Sequence, residues 1–276
     1  PLARSRAVMR RRDTSVACGH AGWCPRCESG LAVTGPVPAA FCWSGGKDAA
    51  LALGRLLNDD RYEVRSLVST VHDPEPVASV HEVPLCLLQM QAEAIGLPLE
   101  PVMLSGSGLV DYAEVMARTA DRLHDEGIRA VGFGDLECSG ALAHREAIFA
   151  PSGLAVVEPL WRMTSQECAA EFLRSRIEAL TVVVDASVLS SDHLGAWLDR
   201  AFIEGLPEGC DPCGELGEYH SFVVDAPYFA HPVPVAARES AYIERQIGTH
   251  RGIRTFGYWQ LRLEPDHRQV AHVARP

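Results

Sequence analysis

Between residues 39 and 185 the sequence alternates two textures. Short apolar runs of strand length are separated by stretches with the 3.6-residue apolar period of helices. The strand-like runs are AAFCW (39–43), VRSLVS (64–69), LEPVML (99–104), AVGFG (130–134), AVVEPLW (155–161) and ALTVVVD (179–185). The helical stretches are AALALGRLL (49–57), LCLLQMQAEAIG (85–96), YAEVMARTADRLHDEG (112–127) and SGALAHREAIFA (139–150). A further helix opens at Thr164, which precedes Glu167 in the pattern of a capping box. Strands joined through whole helices are not hairpin partners; they pair in parallel through right-handed crossovers. The expectation is an α/β fold, a parallel sheet with helices on both faces over residues 38–185, binding ligands beyond the carboxyl ends of its strands.

The flanks read differently. Residues 186–276 suggest a smaller C-terminal α+β portion that closes over the mouth of the sheet. It comprises an amphipathic helix over HLGAWLDRAFIEGL (193–206), a turn-rich loop entering a strand at CDPCGELGEYHSFVVDAPYF (210–229), and a late strand at FGYWQLRLEP (256–265). Residues 1–37 read as an extension. Cys18, His20, Cys24 and Cys27 crowd within it, and Cys24-Pro-Arg-Cys27 has the spacing of a zinc knuckle. The extension is then either a small zinc site or a tail whose thiols are idle. Cys210 and Cys213 form a second such pair, which could complete a four-thiolate site with Cys24 and Cys27.

The first strand runs into Ser44-Gly45-Gly46-Lys47-Asp48 and then a helix. Paired glycines let the backbone turn tightly and approach an anion closely. The N–H groups at a helix start favour negative charge. Lys47 is the one lysine among 25 Lys and Arg residues. A drift toward arginine that spares one position marks a site that needs a compact ammonium and not a planar guanidinium. Asp48 either holds a magnesium ion or caps the helix. The loop is not a Walker A motif, because Phe41 and Asp48 stand where that motif needs glycine and Ser or Thr.

Charge and composition narrow the field. A net charge of −11 argues against a large nucleic-acid footprint. It leaves room for a phosphate held by a few local donors. No apolar run approaches the length of a membrane span. The basic N-terminal stretch is not followed by the apolar core of a secretory signal. Nine cysteines, an odd number, fit free thiols in a reducing cytoplasm.

SGGKD at 44–48 resembles the SGGxDS pyrophosphate loop of the ATP pyrophosphatases, the PP-loop superfamily with a HUP-like fold; Ala49 stands where those proteins usually carry serine. Within that superfamily, DPCGELGEYHSFVVDAPYF (211–229) resembles the signature of the diphthine–ammonia ligase family. VGFGD (131–135), VVEPLW (156–161) and HLGAWLD (193–199) extend the resemblance in family order, over about residues 40 to 230. It implies an enzyme that uses ATP and Mg²⁺ to adenylate a carboxylate, releases pyrophosphate and lets ammonia displace AMP. On this reading Ser44, Gly45, Gly46, Lys47, Asp48, Ala49, Ser69 and Asp135 hold the nucleotide, with Lys47 and Asp48 also acting in catalysis. His81, Gly214, Glu215, Glu218 and Tyr219 would face the acceptor and ammonia.

Glu215 and Glu218, beside the Tyr219 ring, suit a cationic partner such as ammonium or a quaternary ammonium; the alternative is a pair of solvated loop charges. His220 either moves a proton or makes a structural hydrogen bond. Cys213 belongs to the family motif, which favours a packing role in its loop. Pro84 replaces an arginine usual three residues after His81, which leaves room for a different acceptor. The Ala- and Arg-rich composition is that of a GC-rich bacterial genome, so the acceptor is expected to be some small-molecule or protein-borne carboxylate, not necessarily diphthine. A homodimer is compatible with all of this. Two other readings stay open. One is sulfur insertion into tRNA, against which the acidic charge and GELGEY stand. The other is a nucleotide-binding module without catalysis, of which Ala49 and Pro84 would be signs of decay.

Overall fold

The computed structural model describes residues 35–72, 83–104, 109–136, 140–249 and 252–266. Cys18, His20, Cys24, Cys27 and His81 lie outside the described residues. Five strands form a parallel sheet: β1 (Val37–Cys42), β2 (Tyr62–His72), β3 (Leu99–Leu104), β4 (Ala130–Gly132) and β5 (Ala155–Val157). Helices α1 (Lys47–Leu57), α2 (Leu85–Ile95), α3 (Leu109–Asp125) and α4 (Ala141–Phe149) make the crossovers.

The alternation of side chains along a strand explains why both faces are covered. Phe41, Leu67 and Val71 pack on one face with Leu53 of α1 and Leu87 of α2. Their neighbours Ala40 and Val68, with Val102 and Val131, pack on the other against Met116, Ala120 and Leu123 of α3 and Phe149 of α4. The strand order is β3-β2-β1-β4-β5. Its direction of growth reverses between β1 and β4, and a crevice opens there at the carboxyl ends.

A second, antiparallel sheet has the order β7-β6-β9-β8. It comprises β6 (Glu178–Asp185), β7 (Tyr219–Asp225), β8 (Val235–Thr249) and β9 (Gly252–Pro265). The run ALTVVVD, read with the parallel sheet, is β6 of this second one. Ala179 through Val184 are all buried. A strand buried on both faces looks the same in sequence whichever sheet it occupies. The β8 strand was not legible, because charged residues such as Arg238, Glu239 and Glu244 interrupt its alternation.

The helix expected over 193–206 shrinks to α6 (Arg200–Glu204), whose N-cap Asp199 accepts from the Phe202 N–H at 2.9 Å. Before it the chain makes a 3-10 turn (Ser191–His193) and a further turn, and then Trp197 bridges to Leu180. By contrast, the capping box opens α5 (Ser165–Ser175) as read: Thr164 Oγ1 accepts from Glu167 N at 3.2 Å, and Glu167 Oε2 accepts from Thr164 N at 2.9 Å. Among the described residues no helix is long and apolar enough to cross a membrane. One apolar core runs from α1 and α2 through α5 into β6 and β7, so the second sheet is held against the glycine-loop side of the first.

Candidate active site

The glycine loop leaves β1 at its carboxyl end and is braced from beneath. Trp43 N–H donates to Val68 O at 2.8 Å, and Ser69 Oγ donates to Trp43 O at 2.5 Å. Ser69 is buried under the loop and does not line the cavity; its neighbours Val68 and Thr70 do. Gly45 has φ +81°, and a Cβ there would meet Leu88 Cδ2 at 2.7 Å and Gln91 Oε1 at 2.9 Å. Only glycine fits both the left-handed conformation and the space. Gly46 is the N-cap of α1, with no side-chain capping bond. Asp48 is therefore not the cap.

Lys47 is 4 % exposed. Its backbone N–H donates to Ser221 Oγ at 3.0 Å, across to the second sheet. Its ammonium donates to Asp48 Oδ1 and Oδ2 at 2.8 and 2.7 Å and to Cys213 O at 2.5 Å, and sits 5.5 Å from the centre of the Tyr219 ring. Burial pulls the lysine pKa down, but the Asp48 carboxylate more than offsets it, and the net shift is upward. The ammonium is thus held charged at the wall of the cavity. The first-turn N–H groups of Asp48 and Ala49, which have no intrahelical partner, belong to residues lining the same cavity.

The segment from Cys210 to Glu218 ties itself into a compact loop over this point. Asp211 Oδ1 accepts from Cys213 N at 2.7 Å and from Glu215 N at 3.3 Å. Glu218, buried, accepts from Asp211 N and Leu216 N at 3.0 Å each. Its carboxylate is engaged by the loop's own backbone and does not line the cavity. Gly214 has φ +71°, and a Cβ there would lie 2.7 Å from Tyr219 O. Tyr219 donates its hydroxyl to Pro212 O at 2.7 Å. Glu215 and His220 do line the cavity. Glu215 has its pKa pushed up to about 7, by burial first and by the Asp48 carboxylate next, against the pull of Lys47. Cys210 Sγ lies 3.8 Å from Asp211 O.

The cavity between these parts measures about 600 Å³. Its apolar side is formed by Cys42, Val68, Met116 and Phe133. Opposite the glycine loop stands Asp135, just beyond the end of β4, which accepts from Arg145 Nε at 3.1 Å. Arg145 also donates to Tyr112 Oη, and its guanidinium lies over the Phe133 ring at 4.5 Å. The sequence marks neither Tyr112 nor where Arg145 lies; both come from helices whose periodicity shows only that a face is buried.

Just behind Asp135, Glu158 follows β5 with both carboxylate oxygens buried and without a hydrogen-bond partner. Burial, then Asp135, pushes its pKa up to about 7 against the pull of Arg145. The unfolded chain releases this proton near 4.5 and the folded chain keeps it to about 7. The contribution of Glu158 to stability is therefore most favourable below the lower value and is lost as pH rises through the interval. Glu158→Gln should melt about 3–6 °C above the parent at pH 8 and level with it at about pH 4, below the unfolded value. That shift corresponds to roughly 1–2 kcal/mol once partial exposure is discounted. Equal melting temperatures at pH 8 would dispose of this account.

Residues 38–155 match the diphthamide synthase N-terminal domain, and residues 165–254 match the diphthamide synthase C-terminal domain. The chain is 26% identical over 220 residues to a diphthine–ammonia ligase of Rattus norvegicus, covering 71% of this chain and 82% of that protein. It is 27% identical over 169 residues to a diphthine–ammonia ligase of Homo sapiens, covering 55% of this chain and 63% of that protein, less than two thirds of its length. Among solved structures, the U34-tRNA thiolase NcsA from Methanococcus maripaludis with its 4Fe-4S cluster aligns over 51% of this chain and 57% of its own, at 16% identity and a TM-score of 0.34.

Proposed function

The chain belongs to the diphthamide synthase family in both of its matched domains, and from that premise we propose that it is an ATP-dependent, AMP-forming ligase joining ammonia to a carboxylate. The observation that carries this reading is a convergence. The buried Lys47 ammonium, the start of α1 and the 213–221 segment wall one cavity of about 600 Å³. That volume lies within the roughly 300–1,000 Å³ common for small-molecule sites.

The loop N–H groups and Lys47 take the phosphates, and the apolar side takes the base. Arg145, held flat against Phe133, faces the acceptor carboxylate. An oxygen of that carboxylate attacks the α-phosphorus and pyrophosphate leaves with the bridging oxygen. Ammonia then attacks the acyl carbon and AMP leaves. The nitrogen must shed a proton on the way, and Glu215, with a pKa near 7, is the cavity carboxylate suited to take it. Asp135 would be the carboxylate to hold a magnesium ion accompanying the triphosphate, which would neutralise phosphate charge. The loop over the cavity excludes water, which would otherwise hydrolyse the adenylate.

The test is product identity. The enzyme is incubated with ATP labelled at the α-phosphate, ammonium, and a panel of carboxylates that includes a diphthine-bearing substrate. Labelled AMP that forms only when both acceptor and ammonium are present is the expected result. Labelled ADP as the product would refute the reading.

A further inference from the structure

Among the described residues, one group of three metal-ligating side chains converges: Asp48, Cys168 and Cys213. Their ligating atoms all lie within 4.8 Å of one another. They come from three separate segments, the first turn of α1, the first turn of α5 and the Cys210–Glu218 loop. Both sulfurs are buried, at 0% and 2% residue exposure. Cys168 Sγ lies 3.8 Å from Asp48 Oδ1, and Cys213 Sγ lies 3.2 Å from Ser165 O. Asp48 and Cys213 line the cavity, and Cys168 closes the group from behind.

We propose that Cys168 Sγ, Cys213 Sγ and Asp48 Oδ1 form a site for a thiophilic divalent cation of the zinc class, with its fourth position open to the cavity. Zinc takes sulfur at about 2.3 Å and carboxylate oxygen at about 2.0–2.2 Å, which sets tetrahedral ligand atoms roughly 3.5–3.8 Å apart. The present spread reaches that by side-chain rotation of about 1 Å. Two sulfurs select zinc over magnesium, which demands oxygen ligands.

Charge also closes. Two thiolates and one carboxylate carry three negative charges; the metal supplies two positive charges and Lys47 the third. Lys47 need not leave, because it bonds both oxygens of Asp48 and keeps Oδ2 when the metal takes Oδ1. Binding replaces two S–H bonds by two metal–sulfur bonds and releases two protons. A metal here pins the Cys210–Glu218 loop to α1 and α5, and so fixes the turn that carries Glu215.

The experiment uses the full chain with Cys18, Cys24 and Cys27 changed to serine, so that the N-terminal thiols contribute nothing. Cobalt(II) is titrated into the reduced protein as the probe, without ATP or acceptor; the outcome is therefore independent of the ligase reading. One equivalent should bind, with thiolate charge-transfer absorption in the near ultraviolet and the visible bands of a tetrahedral ion. Zinc should bleach it and excess magnesium should not. Cys168→Ser and Cys213→Ser should each remove about half of the charge-transfer intensity and weaken binding by about 100-fold or more. If either serine variant loses its native circular dichroism, Asp48→Asn carries the test, with the thiolate intensity kept and the affinity reduced. No charge-transfer band in the reduced background protein, or a band and affinity indifferent to these changes, overturns the site.

Discussion

Lys47→Ala should lower AMP formation by about 100- to 1,000-fold, a loss of roughly 2.7–4 kcal/mol of transition-state stabilisation. The lysine is buried, charged and already aimed, so its electrostatic contribution needs little reorganisation when the phosphates arrive. Lys47→Arg should fail almost as badly. The ammonium sits in a slot bounded by Cys213 O at 2.5 Å and the two Asp48 oxygens within 2.8 Å. A planar guanidinium with its wider fork does not fit such a slot. An arginine variant within about threefold of the parent rate would show that the site asks only for a positive charge. The same experiment tests why the chain's single lysine persists here.

Gln91→Leu should destabilise the fold by about 3–5 kcal/mol, although Gln91 touches no expected ligand. Its side chain is fully buried and makes three bonds that join distant parts of the chain. Oε1 accepts from Trp43 Nε1 at 2.9 Å; Nε2 donates to Gly45 O at 3.2 Å and to Val223 O at 2.6 Å. Leucine has similar volume, so packing is nearly kept while polar partners lose their bonds. Gly45 O keeps its bond from Val223 N at 2.9 Å, but Trp43 Nε1 and Val223 O lose the glutamine. A buried polar group left unpaired costs about 1–3 kcal/mol. The check is a denaturant midpoint that falls with an unchanged slope. Nucleotide affinity should fall too, because the glycine loop loses its brace. A loss below about 1 kcal/mol would mean that water replaces the amide.

Not all of the site was equally legible. Ser44 through Asp48 stand out in the sequence because their chemistry is local: glycine permits the turn, the helix start supplies donors, and one lysine stands out against arginine. Asp135 stands out by strand-end position and by the family resemblance of its Gly-Asp pair. Glu218 and Ser69 show the limit. Each is a polar residue in a promising segment, yet Glu218 accepts from the backbone of its own loop and Ser69 props Trp43. Residue type cannot tell a group that faces a ligand from one that satisfies buried backbone, since both needs are met by the same atoms. Gln91 and Cys168 were missed for the converse reason. Each sits on the apolar stripe of a helix, where the pattern announces burial and nothing more.

The sequence by itself determined the alternation of strands and helices, the glycine bend after β1, the capping box of α5 and the position of Lys47 just beyond a strand's carboxyl end. These depend on backbone conformation and on periodicities spanning a few residues. Only the tertiary structure decided that β6 joins the antiparallel sheet, that Lys47 reaches Cys213 O and its backbone N–H reaches Ser221, and that two thiols meet Asp48 beneath the cavity. An apolar period records that a face is buried without recording what buries it, and contacts between residues 120 to 174 positions apart exist only once the second sheet and α5 have packed on the first.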